Sequence, residues 1–323
     1  MNPEAIIECV PNFSEGIDAD KVKKIVLSMK IDGVRLLDWS QDAAHNRSVV
    51  TIAGSPAAVV EAAVCSVGKA AELIDLTKQA GVHPRIGAAD VVPFVPVSGI
   101  SLAECAMLAR QAGLQIWRRY GVPVYFYGAA ATRPDRVELE DLRRGQFEGL
   151  RDAVIRDTAR RPDVGGPELH ATAGASAVGA RSFLIAYNVY LEVVSEPRIE
   201  GPSDSRWLAP SIPDIAVARA IARDIRASNG GMYGVKAIGV IANGRTQVSM
   251  NITDFRRTPM SQVHAMVQTL ARRHGVVAAE GELIGLIPED AYEPDSSWVR
   301  QTAGFVAENK VLERKLNHPI NWP

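Results

Sequence analysis

Short apolar runs alternate with amphipathic segments along the chain, a pattern typical of proteins that contain both strands and helices. In the first half, apolar runs predict strands at 6–10, 34–39, 48–53 and 91–97. Helical spacing predicts one helix from Asp18 to Met29 and a longer helix that begins at Ser55-Pro56 and ends at Gly81. The order is β-α-β-β-α-β, and a helix at 102–119 and a strand at 122–127 extend it.

The second half repeats this order of elements. Apolar and alternating runs predict strands at 183–193, 235–242, 247–254 and 276–286. Helical spacing predicts a helix at 215–225, and Thr258-Pro259 begins another. Asn243-Gly244 predicts a tight turn between two of the strands. The sequence therefore predicts an α+β protein made of two ferredoxin-like (βαββαβ) subdomains with mixed sheets and a substrate cleft between them.

A stretch rich in Gly, Ala and Pro at 161–180 predicts the boundary between these subdomains, which we place at 1–180 and 181–323. A second irregular stretch at 197–213 is interpreted as a surface insertion. The tail beyond Glu293 is expected to hold one helix at 297–315 that packs on the body. In the strand at 247–254, Gln247, Ser249, Asn251 and Thr253 share one face, which either lines the cleft or is solvated.

The composition narrows the kind of partner. The chain has 323 residues with 36 basic and 37 acidic side chains, so it lacks the basic excess typical of nucleic-acid-binding proteins. Its three cysteines form neither a disulfide framework nor a zinc-ligand pair. The N-terminal segment lacks the pattern of a secretory signal, and the most apolar stretch is interrupted by charges. We therefore expect a cytoplasmic protein with a small-molecule partner and no membrane partner.

Three polar clusters follow or precede predicted strands, at 12–16, 42–47 and 83–90. In the first, Ser14 or Asp18 is interpreted as a helix cap, whereas Asn12 and Glu15 have no such explanation. In the third, His83 lies in a loop beside Pro84 and Arg85. Since imidazole titrates near pH ~6.5, His83 is a candidate acid or base. A loop histidine is nevertheless more often an ordinary hydrogen-bonding residue.

Other kinds of chemistry have weaker support. His45 and His83 with Asp42 or Asp90 could form a metal site, but the usual HxH, HxxxH and HExxH spacings are missing. The chain contains no GxSxG nucleophile elbow, no GxGxxG motif and no P-loop. These observations argue against a serine hydrolase of that type and against Rossmann and P-loop enzymes.

Eight blocks of the chain resemble the glutamate formiminotransferase family, and they occur in the family's order. They include ECVPNFSEG, HNRSVVT, GVHPRIGAADVVPFVPV, VPVYFYGAAA, PDVGGP, GASAVGARSFLIAYNVYL, VKAIGV and QVSMNITDF. The chain also resembles the first domain of formiminotransferase-cyclodeaminase. Because it stops before a second, helical domain could begin, we expect the monofunctional form.

The resemblance implies transfer of a formimino group from N-formimino-L-glutamate to N5 of tetrahydrofolate, in histidine degradation and one-carbon metabolism. Tetrahydrofolate would be a co-substrate, no metal is expected, and the protein would be a homodimer. The family's catalytic histidine matches His83 of the HPRIG motif. Many relatives carry an acidic residue where this chain has Ala44, which leaves Asp42 as the carboxylate of that loop.

The family's folate-contact segment matches residues 166–174 of this chain. Relatives with a cyclodeaminase domain carry aromatic residues in this segment, whereas this chain does not. The resemblance therefore assigns folate contacts to a segment without stacking side chains: Gly166, Pro167, Glu168, Leu169, His170, Ala171, Thr172, Ala173 and Gly174.

The chemistry of the transfer suggests roles for further side chains. His83 would take the proton from N5 and return it to the departing glutamate nitrogen, while Asp42 would stabilise the positive formimino group. Arg47, Arg85 and Arg181 are candidates to bind carboxylates because a guanidinium matches them in shape. Asn12 or Asn188 is a candidate to orient a substrate. Two alternatives stay open: a related transferase that uses 5-formyltetrahydrofolate and N-formylglutamate, and a non-catalytic folate-binding protein.

Overall fold

The computed structural model describes residue 2 and residues 4–43, 45–81, 84–193, 212–242 and 244–323. His83, Ala44, Asn243 of the predicted turn, and nearly all of the predicted insertion at 197–213 lie outside the described residues. The chain divides into two compact units. Unit 1 comprises Met1–Ser182 with Leu316–Pro323, and unit 2 comprises Phe183–Lys315.

Unit 1 contains seven strands and five α-helices among its described residues. The strands are β1 (Ile6–Cys9), β2 (Asn12–Phe13), β3 (Val34–Asp42), β4 (Arg47–Gly54), β5 (Ala89–Ser98), β6 (Val124–Gly128) and β7 (Ser176–Ala180). The helices are α1 (Ala19–Leu27), α2 (Pro56–Leu73), α3 (Leu102–Tyr120), α4 (Leu139–Leu142) and α5 (Gln146–Arg156). The strands form one mixed sheet, in which β7 pairs in parallel with β5 and β6 and the other pairings are antiparallel.

The apolar stripes predicted α1, α2 and α3 of unit 1. Val59, Ala63, Val67 and Ala70 of α2 are all buried, as their spacing predicts. However, α2 ends at Leu73 rather than at Gly81, so the predicted end is wrong. The backbone becomes extended at Ile74. Asp75 then accepts hydrogen bonds from the backbone N–H and the hydroxyl of Thr77, and these bonds favour a turn over a further turn of helix.

Four elements of unit 1 were not predicted from the pattern: the short β2 and α4, and also β7 and α5. The stretch at 161–180, interpreted as irregular, contains β7, a buried strand between two neighbours. Its sequence, SAVGA, consists of small residues and shows no alternation. The helix α5 also went unpredicted, although its buried Phe147, Leu150 and Val154 have helical spacing.

Unit 2 contains a four-stranded antiparallel sheet covered by helices. Its elements are β8 (Ile185–Val193), α6 (Ile215–Ile225), β9 (Val235–Ala242), β10 (Arg245–Ile252), α7 (Met260–Arg273), β11 (Val276–Ile284), α8 (Ser297–Gln301), α9 (Ala307–Lys310) and α10 (Leu312–Asn317). The strand order is β11-β8-β10-β9. Val248, Met250 and Ile252 of β10 are buried in the core, as the alternation predicts.

The prediction of one C-terminal helix at 297–315 is wrong, because the tail forms the three short helices α8, α9 and α10. Thr302, with extended backbone, and Gly304, with left-handed backbone, separate α8 from α9. Residues 316–323 belong to unit 1 instead of unit 2. There Ile320 donates its N–H to the carbonyl of Leu36 at 2.9 Å, which adds a backbone contact to the edge strand β3.

The described chain is an α+β protein with one mixed and one antiparallel sheet. Within the described residues, no helix is both long enough and apolar enough to cross a membrane.

A polar network around His264 lies inside unit 2. The His264 ring contacts the Tyr187 hydroxyl through Nδ1 at 3.3 Å and Gln301 Oε1 through Nε2 at 2.7 Å. Gln268 donates to the same Gln301 oxygen at 3.1 Å. Burial lowers the pKa of His264, against a smaller opposing effect of the Gln301 hydrogen bond. The imidazole is therefore neutral in the folded protein at pH 7.

We predict that the free energy of unfolding falls as the pH drops below about 6.5. Because the pKa of His264 is lowered in the folded state, the unfolded chain binds a proton there that the folded chain does not. The free energy of unfolding then falls by up to about 1.4 kcal/mol for each pH unit. Urea denaturation at several pH values, followed by tryptophan fluorescence and by circular dichroism, measures this.

His264→Gln is expected to lower stability at pH 7 and to flatten this pH dependence. The exposed His274 gives the matched control, since His274→Gln should leave the slope as it is. An equal slope in wild type and His264→Gln would contradict the assignment.

Candidate functional site

The first polar cluster follows β1 and β2. Asp18 caps α1, as predicted, by accepting from the backbone N–H groups of Asp20 and Lys21. Ser14 does not cap this helix, since its hydroxyl donates to the carbonyl of Gly87 at 2.7 Å. Glu15 accepts from the N–H groups of Ile17 and Asp18, both at 3.0 Å. Glu15 therefore has a structural role at the start of α1 that the sequence did not reveal.

The second cluster is the turn between β3 and β4, which contains a carboxylate–histidine pair. Asp42 contacts the His45 ring through Oδ2 and Nδ1 at 2.7 Å, and its other oxygen accepts from the His45 N–H at 3.0 Å. Asn46 accepts from the N–H of Gly16 at 2.9 Å and donates to the carbonyl of Ala80 at 2.8 Å. The turn is thereby tied both to the first cluster and to the chain that enters the HPRIG motif.

Arg47, the first residue of β4, is half-buried beside other charges. It donates to the amide oxygen of Asn12, and Asn12 in turn donates to the carbonyl of Val10 at 2.7 Å. Burial lowers the pKa of Arg47 to about 10, and the like charge of Arg143 contributes, while Asp90 and Asp42 oppose the shift. The guanidinium remains charged at pH 7, so positive charge is held inside unit 1.

Arg85 lies in the HPRIG motif and is 6% exposed. Its Nη2 donates to the carbonyl of Gln79 at 2.8 Å and to Glu148 Oε1 at 3.0 Å, and its Nη1 donates to Gln146 at 3.3 Å. The helix α5, which supplies Gln146 and Glu148, therefore holds the motif in place. The Nε atom of Arg85 is buried and has no hydrogen-bond partner among the described residues.

Asp90 joins the motif to another arginine. One carboxylate oxygen accepts from the N–H of Ile86 at 2.7 Å, and the other pairs with Arg143 just after α4. We call Arg47, Arg85, Arg143 and Asp90 the arginine cluster. A small cavity lies beside it, lined by Phe13, Ser14, Asn46, Arg47, Arg85 and Asp90. One buried guanidinium group, that of Arg85, and two half-buried ones lie around a single buried carboxylate, which favours an anionic ligand at this place.

Arg181 lies at the end of β7, beside Tyr127. It donates to the carbonyl of Ser182 at 3.0 Å. Burial raises the pKa of Tyr127 to about 12, and the charges of Arg181 and Arg143 both oppose this rise. Arg181 and Arg143 therefore act on the same buried phenol, which connects Arg181 to the arginine cluster.

The predicted folate segment packs directly on the HPRIG motif. Ala88 donates its N–H to the carbonyl of Ala173 at 2.9 Å, and Ala175 donates to the carbonyl of Ile86 at 3.0 Å. Gly87 and Gly174 form an antiparallel bridge between the two segments. The structure thus brings the two regions together, although 83 residues of sequence numbering separate His83 of the motif from Gly166 of the segment.

Within the folate segment, the described side chains are mostly used in local structure. The Nδ1 atom of His170 accepts from the N–H groups of Ala173 at 3.0 Å and Thr172 at 3.4 Å. Leu169 is buried in the core of unit 1. The peptide bond between Gly166 and Pro167 is cis. The side chains of Pro167, Glu168 and Ala171 are exposed, and those of His170 and Thr172 are partly exposed.

Sequence reasoning missed Arg143, Gln146 and Glu148, although they hold Asp90 and Arg85. The helical spacing of α5 would have placed Gln146 and Glu148 on a helix, but no local signal links them to a motif 61 or more residues earlier. Among the residues that the structure describes, no group of three His, Cys, Asp or Glu side chains could hold a metal ion.

Comparison with known proteins identifies related chains over almost the whole length. A family profile described as "Formiminotransferase domain, N-terminal subdomain" matches residues 6–181, and one described as "Formiminotransferase domain" matches residues 212–316. A protein named glutamate formimidoyltransferase from Thermoplasma acidophilum is 39% identical over 98% of this chain and 99% of its own. One of the same name from Streptococcus pyogenes serotype M1 is 40% identical over 96% of this chain and 98% of its own.

A longer relative matches through part of its length. Formimidoyltransferase-cyclodeaminase from Gallus gallus is 36% identical over 94% of this chain, which covers 54% of that protein.

Gly174 offers a test of the contact between the folate segment and the motif. A methyl group there would lie 2.1 Å from the carbonyl oxygen of Ile86, on a backbone with φ of +69°. We predict that Gly174→Ala lowers the free energy of unfolding by clearly more than the ~1 kcal/mol of left-handed strain alone.

Gly121 is the matched control, because its φ is +64° and its added methyl group would meet no atom within 4 Å. Urea denaturation of both variants measures the difference. If Gly174→Ala and Gly121→Ala cost the same, the close approach at Ile86 does not constrain the protein.

Proposed function

The chain belongs to the formiminotransferase family, and we propose that it transfers the formimino group of N-formimino-L-glutamate to N5 of tetrahydrofolate. The observation that carries this proposal is the match over nearly the whole chain to two proteins named glutamate formimidoyltransferase. The products would be glutamate and 5-formiminotetrahydrofolate. We place the reaction in histidine degradation in the cytoplasm, with tetrahydrofolate as co-substrate.

We propose His83 as the general base. A bond forms between N5 of the folate and the formimino carbon, while the bond from that carbon to the glutamate nitrogen breaks. The base removes the N5 proton, and the same group then protonates the departing nitrogen, so that no net proton is consumed. The anchoring of the motif by Arg85, Ile86 and Gly87 supports this role, because it fixes the chain on the C-terminal side of His83.

Asp42 is our candidate to stabilise the positive formimino group. Its carboxylate is held by two contacts to His45, one through the ring and one through the backbone. The turn also lies against the chain that precedes His83, since Asn46 donates to the carbonyl of Ala80. A fixed carboxylate stabilises a developing cation because it need not reorganise as the charge grows.

We assign the substrate carboxylates to arginines of unit 1. Arg47 and Arg85 belong to the arginine cluster, and Arg181 shares the surroundings of Tyr127 with Arg143. The buried Nε atoms of Arg85 and Arg143 have no hydrogen-bond partner among the described residues, which leaves donors for an anion. Asn12, which holds Arg47, would orient that guanidinium for the substrate.

The folate contacts are proposed for the segment 166–174, whose backbone packs on the motif. Two glycines with left-handed backbone, Gly166 and Gly174, give this segment a shape that other residues rarely adopt. Leu169 and His170 are engaged in packing and in backbone hydrogen bonds. Contacts to the folate would therefore come from the backbone, from the exposed Pro167, Glu168 and Ala171, and from the partly exposed Thr172.

We retain three finer points as predictions. The strand order β11-β8-β10-β9, in which the first and third strands of the unit are central, supports a ferredoxin-like fold for unit 2. A substrate cleft between the two subdomains, placed at 1–180 and 181–323, stays a prediction. A homodimer also stays a prediction.

We predict that the purified protein transfers the formimino group from N-formimino-L-glutamate to tetrahydrofolate, whereas N-formylglutamate is a poor donor. His83→Ala should lower kcat by about 10²- to 10⁴-fold, because general acid–base catalysis contributes that much. Its dissociation constant for tetrahydrofolate should stay within about twofold of wild type, since the change removes a base and not the folate contacts.

His318→Ala, in the tail, serves as the control for loss of a histidine. Turnover of His83→Ala near the wild-type rate would exclude His83 as the base. Transfer from N-formylglutamate alone would favour the related formyl transferase.

A further inference from the structure

One face of the sheet in unit 2 carries polar side chains that the reaction described above does not use. The opposite face packs its apolar residues into the core with α6 and α7. The polar face holds Asn188 and Tyr190 of β8, Gln247 and Ser249 of β10, and Glu282 of β11, which we call the Glu282 patch. Ser249, Asn188 and Glu282 lie in one row across three strands, and Gln247 lies opposite Tyr190.

Glu282 is held in one orientation by two donors. The Asn188 amide donates to Glu282 Oε2 at 3.1 Å, and the Tyr190 hydroxyl donates to the same oxygen at 3.3 Å. Burial raises the pKa of Tyr190, and the charge of Glu282 raises it further, so the phenol stays a donor. No described residue donates to the other oxygen, Oε1. The carboxylate is therefore fixed through one oxygen and open at the other.

Gln247 provides a second acceptor on this face. Its side chain is 3% exposed, and its Oε1 is buried without a hydrogen-bond partner in the part of the chain that the structure describes. Buried acceptors are normally paired, because removing them from water without a donor is unfavourable. Gln247 and Glu282 lie on the two strands that flank β8, so the unpaired amide oxygen and the fixed carboxylate are two strands apart. Together they indicate a place for a ligand with several hydrogen-bond donors.

The neighbouring charges do not neutralise Glu282. Arg245 uses Nη1 for Glu280 at 2.9 Å and Nη2 for Glu192 at 3.1 Å, and its guanidinium lies 4.0 Å from the centre of the Tyr190 ring. Glu282 forms no ion pair with a described cation. The patch consequently favours ligands that present N–H groups and disfavours carboxylates.

We infer that the Glu282 patch binds a planar N–C–N fork of hydrogen-bond donors at the Glu282 carboxylate, and that Gln247 Oε1 accepts from a further donor of the same ligand. This inference rests on the proposed function, whose substrates carry two such forks. One is the N3–H and 2-amino group of the reduced pterin, and the other is the protonated formimino group. A carboxylate recognises either fork by charge-assisted hydrogen bonds.

The test compares Glu282→Gln with Glu280→Gln, which removes the same charge from the same strand without touching Asn188 or Tyr190. The probes are 6-methyltetrahydropterin, which has the fork and no glutamate, and 6-methyltetrahydrolumazine, in which oxygen replaces the 2-amino group. We expect wild type and Glu280→Gln to bind the pterin at least about tenfold more tightly than the lumazine, and Glu282→Gln to lose this preference.

If the formimino group occupies the patch instead, Glu282→Gln leaves the pterin preference intact and raises the KM of N-formimino-L-glutamate by about tenfold. Gln247→Leu should weaken binding of whichever of these two ligands Glu282→Gln is found to weaken. If neither the pterin preference nor this KM changes in Glu282→Gln, and thermal unfolding shows an intact fold, the inference is overturned.

Failure of the proposed function would be distinguishable from failure of this inference. A wild-type protein without transferase activity that still shows the Glu282-dependent pterin preference would refute the reaction and support the site.

Discussion

Unit 1 holds three guanidinium groups around Asp90, one buried and two half-buried, and contacts between distant parts of the chain hold them in place. Each arginine of the cluster meets a partner from a distant part of the chain: Arg47 meets Asn12, Arg85 meets Glu148 and Arg143 meets Asp90. Leaving one buried charge without its partner typically costs about 3–5 kcal/mol, a large share of the stability of a domain. The loop regions around the site are therefore as constrained as the sheet.

This constraint explains which parts of the protein the sequence predicts. Apolar periodicity predicted α2, α6 and the alternation in β10, because those elements bury one stripe or one face. It failed for β7, whose small residues are buried on both faces and show no alternation. It also failed at the end of α2, where Asp75 starts a turn by a hydrogen bond that hydrophobicity does not measure.

The residues of the candidate site also divide into those that a local sequence pattern indicates and those that it does not. Turn chemistry and the HPRIG motif pointed to the loops that contain Asp42, His45 and Arg85, because these residues lie beside predicted strand ends. Arg143 could not be found by such means, since its partner Asp90 is 53 positions earlier and an ion pair leaves no local pattern. Gln247 on the polar sheet face was visible as one member of an alternating row, but its unpaired amide oxygen is a property of packing.

The net charge of -1 conceals two opposite local environments. Unit 1 holds an excess of guanidinium groups around Asp90, whereas the Glu282 patch of unit 2 has an uncompensated carboxylate and an unpaired amide oxygen. The proposed substrates have matching groups, because both carry carboxylates together with planar N–H forks. An arginine cluster favours carboxylates over a fork of donors, and a carboxylate patch favours the fork over a glutamate chain, so the two environments select different groups of the proposed substrates.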